Sequence, residues 1–392
     1  MIDSPTKTGP LRGTRVIELA GLGPGPYAGQ LLADLGADVV VIDRPGNATV
    51  GKAIDGRGKA IDGRGKRSMV LDLKKPEAVE ALLKLVASAD VLIEGLRPGV
   101  TERMGVGPDA CHAINPGLIY GRMTGWGQRG PWSQMAGHDI NYIGMTGVLN
   151  AIGKKGQPPV PPLNMIGDFG GGTMFLITGI LAALIERGRT GKGNIVDAAI
   201  VDGTNSLMSF VHGMAGLGRW QTAREANLLD GAAPYYRCYT TSDGKFMAVG
   251  CIEPQFFAAM MERLPVNAEA YGKQNDFSAW SRQHEILEGV FAGKTRDEWE
   301  ATFAGTDACV TPVLDYVEAA THPVNAERKA VLAADHWLHP QIAPRLDSQP
   351  LATHFEIATK GGDYAAILAE AGFAEAGISQ LIAAGAVVTN KD

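Results

Sequence analysis

Two glycine-flanked passages each set one proton-transfer side chain at the start of an apolar run: AGHDINYIGMTG carries His138, and PPLNMIGDFGGGTMF carries Asp168. An imidazole and a carboxyl group brought to one carbon atom can take its proton from one side and return it from the other, so the pair predicts a two-base active site. The first amides of a helix have no partners within it and point outward. The turn Gly137-His138-Asp139 therefore offers donors for a negatively charged oxygen. The same positive helix end disfavours imidazolium, which leaves His138 the better base. Asp168 is followed by glycines that let another segment or a ligand approach the backbone, and then by the helix-forming TMFLITGILAALIERG. Each residue also has a plainer reading. Asp is among the commonest N-caps, and a lone His before an apolar run is commonly a hydrogen-bonded helix start.

Such a pair needs a rigid frame. TRVIELA, YAGQLLADLG, ADVVVIDRP, KPEAVEALLKLVASADVLIEGL and GLIYGRM alternate β-branched with helical runs, the rhythm of a parallel sheet with crossover helices. A helix is expected over 168–187, then a strand leading into a further helix in GNIVDAAIVDGTNSLMSF. From about residue 230 the texture changes: YRCYTTSDGKFMAVGC reads as two strands joined by a Ser-Asp-Gly turn, and PQFFAAMMERL, HEILEGVFAG and TRDEWEATFAG read as helices. The fold class predicted is α/β, with a large Rossmann-like parallel-sheet domain over 1–225, a smaller α+β domain over 226–324, and a segment over 325–392 whose terminal helix pair returns to the large domain. GKAIDGR at 51–57 recurs at 58–64. Two glycine-bearing units cannot build a coiled coil, so a mobile surface loop is expected there, its Lys and Arg able to attract an anion beside Arg44.

The net charge of −6 and pI near 5.8 lack the footprint of nucleic-acid binding. Cys111, Cys238, Cys251 and Cys309 have no CxxC spacing, so neither a disulfide framework nor a metal cage is expected. The N-terminal MIDSPTKTGPLRG has no apolar signal core, no uninterrupted apolar run reaches a membrane span, and TNKD is not a peroxisomal address. A cytoplasmic location without membrane contact is the expectation.

TRVIELAGLGPGPYAG places Gly21, Gly23 and Gly25 after a strand, in the manner of a dinucleotide loop. Pro24 and Pro26, however, remove two of the amides that such a loop presents to pyrophosphate. Asp43-Arg44 suits a ribose phosphate, which coenzyme A carries as well as NADP, and Arg97 and Arg103 add positive charge.

GHDINY, NMIGDFGGG, VVVIDRP and EGLRPGVTERMG together resemble the family III CoA-transferases. The resemblance runs on through GKGNIVDAAIVDG, IEPQF and TPVLDYVEAATHPVNAER to APRL, nearly the whole chain. Members that transfer CoA typically carry GYD where racemases carry GHD, and this chain has Gly137-His138-Asp139. The resemblance implies an interlocked homodimer and a racemase that interconverts (2R)- and (2S)-2-methylacyl-CoA thioesters through an enolate, CoA being part of the substrate and no further cofactor or metal being needed. It further implies His138 and Asp168 as the two acid/bases, with Glu253 holding His138, Asn164 supporting Asp168, and amides near Asp139 meeting the thioester oxygen. It carries CoA to Arg44, Leu71, Asp72, Leu73, Lys74, Gly95, Leu96, Arg97 and Arg103, with Gly137, Ile140, Asn141 and Tyr142 at the thioester end. Met145, Met165, Met208 and Met214 suit a pliable acyl surface. The alternatives are a CoA-transferase with Asp168 as nucleophile, an NADP-dependent oxidoreductase, which the two prolines disfavour, and a CoA-binding protein without activity.

Overall fold

Val16 and Ile17, like Val39 and Val40, are consecutive β-branched residues whose side chains point to opposite faces, and all four are buried. That is the signature of strands covered on both sides. In the computed structural model, which describes residues 8–46, 59–334 and 337–389, they lie in a parallel sheet. Its chain-order strands are β1 (Arg15–Leu19), β2 (Asp38–Asp43), β4 (Lys66–Leu71), β5 (Val91–Glu94), β6 (Ile119–Thr124) and β7 (Asn194–Ala199), with β3 (Lys59–Arg64) outside it. The parallel strands lie in the order β4, β2, β1, β5, β6, β7. The chain leaves β1 toward β2 on one side and resumes with β5 on the other, so the order reverses there. In open α/β sheets that reversal opens a crevice at the strands' carboxyl ends.

Helix Pro76–Val86 covers one face with Ala78, Ala81, Leu82, Leu85 and Val86, which recur at helical spacing. Helices Pro24–Asp34 and Met174–Thr190 cover the other with Ala28, Leu32, Leu176 and Ile180. The helical run Met165–Thr190 is long and apolar enough to cross a membrane by length and composition alone. Here its Leu176, Ile180 and Ala183 belong to the same core cluster as Ile119 of β6 and Ala198 of β7.

The chain divides into two units: residues 1–146, 163–207 and 329–392, and residues 147–162 and 208–328. A single cut near residue 225 is therefore replaced by repeated crossings. The cause is visible in Arg224, whose guanidinium donates to the carbonyls of Asn150 at 2.9 Å, Lys154 at 3.2 Å and Gln157 at 2.5 Å, binding 147–162 to the second unit. That unit holds the expected hairpin, β8 (Tyr236–Thr240) and β9 (Phe246–Gly250), turning at Gly244 with φ +74°. A strand the sequence did not reveal, β10 (Val310–Val313), pairs with β9. Tyr239 stacks on Phe291 with ring centroids 5.0 Å apart, and Trp299 packs against the same ring.

β11 (Val331–Ala334) and β12 (Trp337–Pro340) pair antiparallel, β13 (Ile357–Thr359) pairs with β3, and β14 (Val387–Val388) adds an antiparallel strand beside β4, the seventh of the main sheet. Between them, Glu370 of helix Tyr364–Glu370 accepts from Arg15 at 2.6 Å and Arg67 at 2.8 Å. The second GKAIDGR copy is thus not a mobile loop. Its Lys59–Arg64 forms β3, and the buried Arg64 pairs with Asp34, donates to the Pro340 carbonyl at 2.6 Å and lies over the Phe355 ring. A partnered, desolvated arginine fixes this copy where composition alone read as surface. The first copy lies outside the described residues.

Candidate active site

A cavity of about 420 Å³ opens at the carboxyl ends of β1, β5 and β6, where the strand order reverses. Leu22, Pro24, Arg97, Trp126, Tyr142, His138 and Asp168 all line it. His138 caps helix Asp139–Met145 in extended backbone geometry. Its N–H donates to the Asn141 side chain at 3.0 Å, and the next N–H, that of Asp139, has no hydrogen-bond partner among the described residues. Gly137 is required by packing: a β-carbon there would stand 2.7 Å from the Tyr142 ring and 3.2 Å from Trp126. Tyr142 in turn packs edge-on against Trp126, centroids 4.8 Å apart, and its hydroxyl donates to the Gly137 carbonyl at 2.5 Å. The exposed imidazole is thereby carried on a firmly held turn.

Asp168 is not a helix cap. It lies inside a wide π-helical stretch, Met165–Thr173, in which the Phe169 N–H reaches back five residues to the Asn164 carbonyl. Such wide turns recur at functional sites. The glycines permit it, since a β-carbon at Gly171 would stand 2.8 Å from the Thr204 amide of helix Ile200–Leu207. The Thr173 hydroxyl donates to the Pro24 carbonyl at 2.8 Å, and Gly23 approaches so closely that a β-carbon there would be 3.3 Å from Asp168 Oδ2. Burial, and then the charge of Asp139, push the Asp168 carboxyl up to about 6, while the Asn164 amide, 3.4 Å from Oδ2, and His138 pull the other way. At that value both protonation states are populated near neutral pH, as a residue that gives and takes a proton requires.

A second hollow of about 590 Å³ follows the carboxyl ends of β1, β2 and β4 and shares Leu19, Leu96 and Arg97 with the first. Arg44, Leu71, Asp72, Leu73 and Lys74 line it. Arg44, Lys74 and Arg97 are exposed, free to meet an anion. Asp43 instead accepts from the Ser68 hydroxyl at 2.8 Å and is buried. The wall shared by the two hollows is fixed by buried Glu94, which accepts from the Leu96 N–H at 2.7 Å and the Arg122 guanidinium at 2.9 Å.

The predicted residues thus gather unequally. His138, Asp168, Gly137, Tyr142, Gly95, Leu96 and Arg97 meet at the first cavity, with Asn164 and Asp139 behind Asp168. Arg103 is exposed and lines neither hollow, and Ile140 and Asn141 turn outward beside His138. Glu253 belongs to the second unit, capping helix Pro254–Met261 near Cys309. Among the described residues no His, Cys, Asp and Glu cluster has the makings of a metal site. Sequence reasoning missed Pro24, Thr124 and Trp126 as lining residues. The glycine-rich MTGWGQRG directly after a strand was the available signal, because strand ends in such sheets face the crevice.

The model of the CoA-transferase family III matches residues 11–357, and the chain belongs to that family. It is 44% identical to the alpha-methylacyl-CoA racemase of Mus musculus over 95% of this chain and 96% of that one, and 42% identical to that of Homo sapiens over 97% and 98%. A CAIB/BAIF family protein from Brucella suis shares the fold with a TM-score of 0.80 at 26% identity, covering 93% of this chain and all of its own. Likeness of that degree to racemases over nearly the whole of both chains makes this protein an enzyme of the isomerase class.

Proposed function

We propose that the chain interconverts (2R)- and (2S)-2-methylacyl-CoA thioesters by 1,1-proton transfer. The observation that carries the reading is that His138 and Asp168 line one cavity beside the opening amide of helix Asp139–Met145. One of the two takes the proton from C2, and the electron pair of that C–H bond moves through the carbonyl to leave an enolate. Charge on the thioester oxygen is met by the Asp139 N–H. The other residue then gives a proton to the opposite face of C2, and the thioester carbonyl re-forms. The direction of reaction decides which residue gives and which takes. One proton leaves and one returns, so the step consumes no redox equivalent.

In this reading the pantetheine arm passes Gly95, Leu96 and Arg97, and the nucleotide occupies the hollow of Arg44 and Leu71-Asp72-Leu73-Lys74. Arg103 meets a phosphate at its rim. Glu253 orients His138 within a cytoplasmic homodimer whose subunits interlock, and CoA is part of the substrate, with no separate cofactor. A CoA-transferase would instead use the Asp168 carboxylate as a nucleophile on the thioester carbonyl.

The test is incubation of one epimer of a 2-methylacyl-CoA in deuterated water. Epimerisation with one deuterium entering at C2 is expected. Retention of configuration with no exchange, together with CoA transfer to an added carboxylate, overturns the proposal in favour of the transferase.

A further inference from the structure

Asp139 is 6% exposed, yet among the described residues only one of its carboxylate oxygens has a hydrogen-bond donor. Oδ2 accepts the Asp168 N–H at 2.7 Å, and the Gly167 N–H faces the same carboxylate. Oδ1 is buried and meets no donor among the described residues. Leaving a carboxylate oxygen in that state is unfavourable, so the arrangement calls for a compensating role. Gly167 makes it possible: a β-carbon there would stand 2.8 Å from the Asp139 carboxyl carbon and 2.9 Å from Ile143.

We propose that the Asp139 side chain is a positioning residue for Asp168, holding its turn through the backbone amides and setting the acid–base balance of its carboxyl with a fixed neighbouring charge. The inference rests on the reading of Asp168 as an acid/base and concerns the side chain of Asp139, whereas the oxyanion role uses only its backbone.

Free amides at the start of a helical turn favour an ionised carboxylate. By accepting two of them, Asp139 withdraws that influence from Asp168 and adds a negative charge beside it. Burial raises both carboxyls, and the two amide bonds pull Asp139 back toward its ionised form. Among the described residues the Asp168 carboxyl accepts only the long contact from Asn164, with the charge of His138 acting in the same direction, so fewer donors favour its ionised form than favour that of Asp139.

The other ionisable groups around Asp168 are few. His138 and Tyr142 face it from the Asp139–Met145 helix, and Arg97 lines the same cavity. From helix Pro24–Asp34 comes Tyr27, packed on Phe169 with centroids 4.7 Å apart. Helix Ile200–Leu207 carries Asp202, whose charge acts on Asp197 of β7. Arg122 of β6 is engaged with Glu94 and Glu102, and helix Met174–Thr190 has no acidic residue in its first turn. Burial raises Asp168 most, and the charge of Asp139 raises it further.

The test reads the protonation of Asp168 directly, by the infrared carboxyl stretch that Asp168→Asn removes, across pH in the unaltered protein and in Asp139→Asn. The amide oxygen of the variant still accepts the N–H bonds but carries no charge. The midpoint is expected near the value above in the unaltered protein and lower by about one pH unit in Asp139→Asn. Gly167→Ala, which pushes the carboxylate from its amides, is expected to lower it too. The alkaline limb of kcat, in the direction where Asp168 gives the proton, should move with it. A midpoint near 4 in the unaltered protein overturns the proposal outright, as does an unmoved midpoint in a folded Asp139→Asn. Because the spectrum needs no turnover, a shifted midpoint without deuterium exchange in the unaltered enzyme overturns the racemase reading and leaves the electrostatic role standing.

Discussion

His138 and Asp168 line the same cavity from two turns built in different ways. The histidine is exposed and rides on local contacts, a cap bond from its own N–H to Asn141 and the ring of Tyr142 beneath Gly137. The aspartate is half-buried in a wide turn whose geometry depends on residues far along the chain: Asp139, Gly23, Pro24 and Thr204. The difference follows from their chemistry. The histidine's turn aims the imidazole into the cavity from the surface. A carboxyl group must be desolvated and set beside another charge before it holds a proton near neutral pH.

The comparison breaks most visibly under His138→Ala and Asp168→Ala. Each is expected to lower epimerisation by about 10²–10⁴-fold, the range for losing one acid/base. The two losses should also differ in kind. With His138 gone, Asp168 still exchanges the C2 proton of one epimer with deuterated water, and with Asp168 gone His138 exchanges that of the other. Mass spectrometry of each pure epimer checks this. Equal loss of exchange from both epimers in both variants contradicts a two-base site.

How far the sequence foretold this can be followed element by element. The β-branched runs of β1 and β2 and the apolar spacing of Pro76–Val86 reveal the parallel sheet, since burial on both faces and helical period are written locally. His138 was legible as a helix start and is one. Asp168 was legible only as a residue before a helix. Its wide turn is set by Thr204 and Asp139, contacts between distant segments that periodicity does not encode. β10 escaped because a four-residue run containing Pro312 reads as loop; at the sheet's edge the missing N–H is tolerated. The GKAIDGR repeat misled because Arg64 looks like surface until Asp34 and Pro340 enclose it.

Adding one methyl group to each turn sharpens the contrast. Gly167→Ala places a β-carbon against both Asp139 and Ile143 in a buried setting, and is expected to destabilise the protein by about 3 kcal/mol, the upper end for overpacking. Gly137→Ala meets the edge of the Tyr142 ring at a half-exposed turn, and should lower kcat with a smaller change in melting temperature. Thermal melts beside kinetics on both variants decide it, and the reverse order of destabilisation would show the His138 turn to be the rigid one.

The charge on Asp168 gives a pH-dependent version of the same contrast. Its folded-state value of about 6 lies above the ordinary 3.8, so the folded protein binds the proton more tightly than the unfolded chain. Stability from this group is then lost as pH rises from near 4 to 6, and the deficit is complete above that window. Asp168→Asn removes the deficit and should be more stable than the unaltered protein at pH 7.5 by about 2 kcal/mol, solvent in the open cavity reducing the full value. Near pH 3.5 the advantage from this source should be absent. Denaturant titrations at the two pH values test it, and an advantage that does not grow with pH contradicts the raised carboxyl.

The smallest effect belongs to a residue that touches neither turn. Arg44 is exposed at the end of β2 and lines the second hollow, and its neighbour Asp43 is occupied by Ser68 and does not compete for the guanidinium. If the hollow takes the phosphorylated ribose of CoA, Arg44→Ala removes one charge-assisted contact worth about 1.5 kcal/mol, roughly a tenfold rise in KM. Because that contact is the same in the ground state and the transition state, kcat should not change. The substrate lacking the 3′-phosphate supplies the control: its KM should already be raised and should not respond to Arg44→Ala. A fall in kcat, or an equal effect on both substrates, would mean that Arg44 acts through the shared Leu96–Arg97 wall, and the binding half of the site would then not be separable from the two proton-transfer turns.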